Sequence, residues 1–281
     1  MKAVNKSFVP PYAVELAYRR AMIKLIKDMV KDYRVLFSIY REKKDQIAMD
    51  ADGEWMTTAV QKRLNKLGKV WGQRFKEFAE HNSKEMVIRV LKATDLQLKS
   101  VLKDYFEKER FMLLDMPVAL KQVIKAHIAE NISLIKSIQS QYLDRVQGAF
   151  VRALTDNGSL RQFELEVAKY SGKELSRAKL IAHDQVHKVF TTMVARRCSQ
   201  LGVKRMMWHH SNVGKEPRPY HIRKWDGKSG LKDGHPNGLN GFVFELANLP
   251  VIQEGDDKHQ EIRGLPSQLV NCRCFMRPVI E

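Results

Sequence analysis

Residues able to do chemistry crowd into the last hundred positions of the chain. Seven of the nine histidines lie beyond residue 180 (His183, His187, His209, His210, His221, His235 and His259), and two of the three cysteines sit in Asn271-Cys272-Arg273-Cys274. Two thiolates and two imidazoles make a tetrahedral zinc set, and His183 and His187, four apart, face the same way on a helix. The Cys-x-x-Cys spacing usual in structural zinc sites is missing, however, and no His-Glu-x-x-His supplies a general base. Cys272 and Cys274, one residue apart, share one side of an extended segment with Arg273 on the other. The expectation is that they are small buried packing residues and that no metal or other cofactor is bound.

A nuclease is the other chemistry these residues raise. Arg218, His221, Asp226 and Asp233 offer a phosphate clamp, a base and metal-binding carboxylates. Asp226-Gly227 and Asp233-Gly234 are more simply turns, where Asp and Gly satisfy local hydrogen bonds and positive φ. Arg218 and His221 read as a buried polar network, since a long irregular segment must satisfy many backbone groups. The arginine then donates to loop carbonyls or to Asp184, and the histidine holds another loop. Cys198 reads as a core or helix-surface thiol, because no histidine or acid at helical spacing completes a relay. The reading is a protein that is not an enzyme.

The elements that must position these residues follow from periodicity. Met22, Leu25, Ile26, Met29, Tyr33, Leu36, Phe37 and Tyr40 draw a buried stripe on a first helix opening at Pro11, and Lys24, Lys27, Lys31 and Arg34 line a separate solvent strip. That strip is a candidate contact for DNA or a partner, although an ordinary solvated face is the simpler reading, since no aromatic residues interleave for base stacking. Asp50-Ala51-Asp52-Gly53 ends this helix. A second helix carries Val60, Leu64, Leu67, Trp71, Phe75 and Phe78, and Asn82-Ser83 signals a stop and a new start. The third, with Val87, Val90, Leu98 and Tyr105 inward, should fail near residues 115–116, ahead of Pro117. A fourth runs over residues 117–155, roughly 58 Å at 1.5 Å per residue. Ser159 and then Ser171-Gly172-Lys173-Glu174 begin two more, the last ending at Gly202.

Beyond Gly202 the period shortens. Residues 203–209 and 242–244 read as strands, and residues 272–279 as a third, around an irregular segment of about 35 residues. The fold class is therefore mainly α: an elongated N-terminal part of long amphipathic helices over residues 1–170, then a small α+β domain over residues 171–281.

The 281 residues carry a formal charge of +17. Residues 1–200 hold 37 Lys and Arg against 23 Asp and Glu, and residues 201–281 hold 12 against 9. The excess therefore lies on the helices, where it attracts polyanions without specifying which. No apolar run approaches the ~20 residues that span a bilayer. The first residues lack the apolar stretch of a signal peptide, and three cysteines suit a reducing cytoplasm.

Taken in order, Leu180-Ile181-Ala182-His183-Asp184-Gln185, the strand ending in Trp208, Arg218-Pro219-Tyr220-His221, Asp226-Gly227, Phe242 and Asn271-Cys272-Arg273-Cys274 resemble the phage head morphogenesis family typified by protein F of phage Mu. The likeness covers about residues 173–278; His183 departs from it, standing where the family more often has arginine. The resemblance implies a minor capsid protein of a tailed bacteriophage, assembled in the host cytoplasm and carried in the virion at the head interior or portal vertex. It implies structural roles for Asp184, Trp208, Arg218, His221, Asp226, Gly227, Asn271, Cys272, Arg273 and Cys274. Expected partners are the portal protein, other capsid proteins and packaged double-stranded DNA, with several copies or a homo-oligomer around the portal and no membrane.

Overall fold

The computed structural model describes residues 2–38, 41, 54–107, 111, 117–155, 160–211, 218, 221–222, 238–253 and 260–280. Four long helices dominate it: α1 (Tyr12–Tyr33), α2 (Glu54–Leu102), α3 (Val118–Thr155) and α4 (Leu160–Gln200). Among the described residues six short strands complete it: β1 (Lys2–Ala3), β2 (Arg205–His209), β3 (Val243–Glu245), β4 (Val251–Gln253), β5 (Ile262–Arg263) and β6 (Phe275–Ile280). The protein is mainly α with a small C-terminal sheet region, as the periodicity predicts. Among the described residues no helix is long and apolar enough to cross a membrane.

Two capping signals do not act. Asn82-Ser83 lies inside α2, where Leu64, Leu67, Trp71, Phe75, Ala79, Ser83, Met86, Val90 and Thr94 form one buried stripe in unbroken phase. Burying that stripe outweighs the local preference of Ser83 for a cap. The polar side chains turn back onto their own helix, Asn82 donating to the Phe78 carbonyl at 3.0 Å and Thr94 to that of Val90 at 2.9 Å. Ser171-Gly172 is likewise interior to α4, because the buried positions Phe163 and Val167 continue in phase through Glu174, Ala178 and Ile181. The buried Glu174 carboxylate is paired with Arg145 and, at 3.9 Å, with Arg177.

The end of α2 is also corrected. The helix stops at Leu102, whose carbonyl accepts the Tyr105 and Phe106 N–H groups at 3.0 and 3.1 Å, and Tyr105, expected inward, is exposed. Residues 112–116, where the break was expected, lie outside the described residues. α4 does end at Gly202, with φ +87°. The Val203 N–H bonds the Cys198 carbonyl at 2.9 Å and the Gly202 N–H bonds that of Ser199 at 3.0 Å, the paired closure that a left-handed glycine permits.

The chain packs as two compact units. One comprises Met1–Glu15, Met86–His127 and His183–Glu281; the other comprises Leu16–Glu85 and Ile128–Ala182. In the second unit Trp71, Tyr33 and Tyr142 are almost fully buried, the two tyrosine rings meet edge to face at 5.3 Å, and Phe163 meets Phe37 and Phe150 in the same manner. In the first, an antiparallel sheet has the order β1-β6-β2-β3, and β4 and β5 form a separate pair. β1 lies ahead of the first expected helix and pairs Lys2 with Ile280 and Ala3 with Val279. β2 meets β6 in the register Arg205 with Val279 through His209 with Phe275.

The last strand starts three residues later than expected. Cys272 and Cys274 precede β6, because the groups that would continue its ladder are used locally. The Cys274 carbonyl accepts the Ser267 hydroxyl at 2.8 Å, and the Cys272 N–H bonds the Leu269 carbonyl at 3.0 Å. The alternation still holds, with Cys272 and Cys274 buried and Arg273 exposed.

Candidate functional site

The turn that carries the two cysteines is built on left-handed backbone. Ser267 and Asn271 have φ of +66° and +59°, and asparagine is among the few side chains that adopt this region readily. The conformation aims the Asn271 N–H at α4, where the Asp184 carboxylate accepts it at 2.7 Å. Burial pushes the Asp184 pKa up, and the Asn271 N–H partly opposes that shift. One residue earlier, the Val270 carbonyl accepts the Arg218 guanidinium at 2.9 Å. Arg218 thus donates to a loop carbonyl, one of the two arrangements expected for it, but it does so exposed to solvent and not within the buried network the sequence reading assigns it; only His221 is buried. The turn holds Arg218 through the Val270 carbonyl, whereas Arg273 is exposed.

His221 is the hub of the site. It is buried, and its Nε2 lies 3.1 Å from the Ile252 carbonyl. A carbonyl only accepts, so Nε2 carries the proton and Nδ1 presents a lone pair. That lone pair faces two sulfurs, Cys272 Sγ at 3.5 Å and Cys274 Sγ at 3.7 Å. The Trp208 ring stands edge to face against His221 at 5.2 Å, and its indole nitrogen is buried without a hydrogen-bond partner. His210, one position beyond β2, brings its Nδ1 to 3.4 Å from Cys274 Sγ. The two thiols divide their proton affinities. Cys272 is pushed down, first by the Cys274 thiol beside it, and Cys274 is pushed up, first by the Cys272 sulfur and then by burial. Burial also pushes His210 down.

A second histidine cluster lies on α4, at the turn below Asp184. His183 Nδ1 and His187 Nε2 approach the same Glu15 oxygen, Oε2, at 3.2 and 3.4 Å, and the two rings pack at 3.9 Å between centroids. The carboxylate accepts from both, which places a proton on each of those nitrogens. The opposite nitrogens, His183 Nε2 and His187 Nδ1, are buried without a hydrogen-bond partner, so bare lone pairs are the less costly state there. Glu15 is held down at about 2, chiefly by the His183 hydrogen bond and then by that of His187; burial pushes His187 below its ordinary value. These three groups lie close enough to hold a cation, but they already satisfy one another.

The structure therefore brings together Asp184 with Asn271, and Trp208 and His221 with Cys272 and Cys274. Asp226 and Gly227 lie outside the described residues. Lys24, Lys27 and Lys31 are exposed on α1 and Arg34 in the turn just after it, opposite the buried Met22, Ile26, Met29 and Tyr33. Asp28 and Asp32, also exposed, flank the strip on one side, and the sequence reading leaves them out. A groove of about 410 Å³ beside β3 is lined by Leu239, Phe242 to Glu245, Asn248 to Val251 and Arg263, and of the motif residues it includes Phe242 alone. Cys198 is fully buried in α4 and its thiol is pushed up by that burial, so it is inert.

The sequence reading set Cys272 and Cys274 beside two of the seven histidines without singling out His210, and it named no partner for His183 and His187. His210 had a usable signal: if residues 203–209 pair antiparallel with the last strand, the residue after His209 falls opposite the one before Phe275. Glu15 had none, since only tertiary packing brings it to α4.

No protein-family model matches the chain, and no solved structure does. A curated protein of Haemophilus influenzae, described as an uncharacterized protein, is 34% identical over 163 residues. The match covers 58% of this chain and 30% of that protein, so the chain spans about 30% of the length of the relative it matches.

Proposed function

We propose that the chain is a structural protein of a tailed-phage head, a minor capsid or head morphogenesis component that contacts the portal and packaged DNA. The observation that carries this reading is the use to which the motif side chains are put. Asp184 holds the Asn271 N–H, Arg218 the Val270 carbonyl and His221 the Ile252 carbonyl, so each fastens backbone instead of facing a cavity. The exposed strip from Lys24 to Arg34 and the +17 charge suit a surrounding rich in phosphate. A nuclease built on His221 is disfavoured because that ring is 2% exposed and both its nitrogens face protein groups.

The test is binding of the full chain to a purified portal ring and to duplex DNA of unrelated sequences. Expected are co-sedimentation with the ring and sequence-independent DNA binding that weakens about 10³-fold or more between 50 and 200 mM salt. Replacing Lys24, Lys27, Lys31 and Arg34 by glutamate weakens the DNA contact. Binding to neither partner overturns the reading, as does metal-dependent DNA cutting that is lost in His221→Ala.

A further inference from the structure

We propose that His221, Cys272 and Cys274, completed by His210, hold one zinc ion that fastens the Cys272-Arg273-Cys274 turn to the end of β2. In a tetrahedral site with Zn–S near 2.3 Å and Zn–N of 2.0–2.1 Å, a sulfur and a nitrogen ligand lie about 3.6 Å apart. The three sulfur–nitrogen separations here are 3.5, 3.7 and 3.4 Å, for Cys272 to His221, Cys274 to His221 and Cys274 to His210. Hydrogen bonding alone accounts poorly for this convergence. The His221 Nδ1 lone pair takes one proton and so serves one thiol, yet two sulfurs face it. A cation at their common focus satisfies all three groups at once.

The surroundings point the same way. Metal-bound imidazoles ordinarily donate their other N–H to a carbonyl or carboxylate, which fixes the tautomer and the ring plane. His221 Nε2 on the Ile252 carbonyl is that bond. The ligand atoms of His221, Cys272 and Cys274 all lie within 4.8 Å of one another, so a single ion reaches the three. His210 touches the Cys274 side only, so serving as the fourth ligand requires it to move toward the focus of the other three. Two sulfurs and two nitrogens in a buried place select zinc over the oxygen-seeking magnesium and calcium. With four protein ligands there is no open position for substrate, so the role is to hold the fold. The inference stands independently of the head-protein reading, because it concerns only how this turn is held.

The experiment uses the full chain, made without an affinity tag and purified without added metal. Elemental analysis should find one zinc per chain, and a chelator should release it while exposing two thiols to an aromatic disulfide reagent. Cobalt exchanged into the protein should show thiolate-to-cobalt charge transfer and the intense visible bands of a tetrahedral ion. The variant carrying Cys272→Ser and Cys274→Ser should lose the metal, whereas His183→Gln with His187→Gln should keep it. If the serine variant does not fold, the cobalt spectrum of the unaltered chain decides the matter. A protein that binds neither zinc nor cobalt at micromolar concentration overturns the proposal, as does cobalt lacking the thiolate band or metal that survives the serine replacements.

Discussion

Glu15 offers the sharpest test of the electrostatics. Its carboxylate accepts from His183 Nδ1 and His187 Nε2 and is held at about 2 against an ordinary 4.5. A carboxylate depressed on folding adds stability that is complete above 4.5 and disappears as the pH falls toward 2. At roughly 1.4 kcal/mol per pH unit, that gap is worth about 3 kcal/mol. Screening removes little of it, because the residue is 6% exposed. Glu15→Gln keeps one carbonyl acceptor and removes the titration. Urea unfolding of both proteins from pH 7 to pH 2 gives the difference in unfolding free energy, in which all other carboxylates cancel. That difference should stay near 3 kcal/mol above pH 5 and shrink toward zero by pH 2. A difference independent of pH would refute the reasoning, since the histidines would then not be stabilising a charge.

His187 titrates below its ordinary 6.5 because it is buried, so its contribution is full above that pH and is lost as the pH drops. His187→Gln should flatten the fall in thermal stability between pH 6.5 and 5. Asn271, with φ +59°, should tolerate Asn271→Gly with little change, whereas Asn271→Ala costs about 1 kcal/mol in chemical denaturation. Gly202→Ala meets no atom within 4 Å of its added Cβ, so its loss of about 1 kcal/mol by the same measurement comes from backbone strain alone. Asp95→Ala removes the carboxylate that receives the buried Arg197 at 3.0 Å and lowers stability by about 2 kcal/mol in thermal unfolding. That is less than a fully orphaned charge would cost, because Gln200 still accepts from Arg197 at 3.1 Å.

Much of the helical architecture was legible because its periodicity is long. Residues 117–155, expected as one helix, form Val118–Thr155, and the stop at Gly202 follows from a conformation that glycine alone adopts cheaply. Asn82-Ser83 and Ser171-Gly172 misled for a shared reason. A capping side chain is worth about 1 kcal/mol, and a buried stripe continuing in phase on both sides is worth several times that. In the site, the burial of both cysteines and the Arg218 and His221 contacts with loop backbone followed from alternation and from the needs of unpaired backbone groups. The convergence of both sulfurs on His221, with His210 against Cys274, did not, because it depends on strand register and loop packing, and Glu15 meets α4 only through packing. On α1 the basic strip is exposed as expected, but Asp28 and Asp32 narrow its positive field, an effect visible only when the whole face is considered.

The antiparallel order β1-β6-β2-β3 bears on how the chain reaches this state. Lys2 pairs with Ile280, Phe8 bridges to Met276, and Arg277 donates to Ser7 at 2.7 Å, so residues 2–8 find their places only against residues 275–280. Pairings of such sequence separation must overcome the entropy of closing nearly the whole chain into a loop before they return any stability. During synthesis the β2 edge that awaits β6 stays unpaired until β6 emerges. That interval is when an exposed strand edge is open to pairing with another molecule.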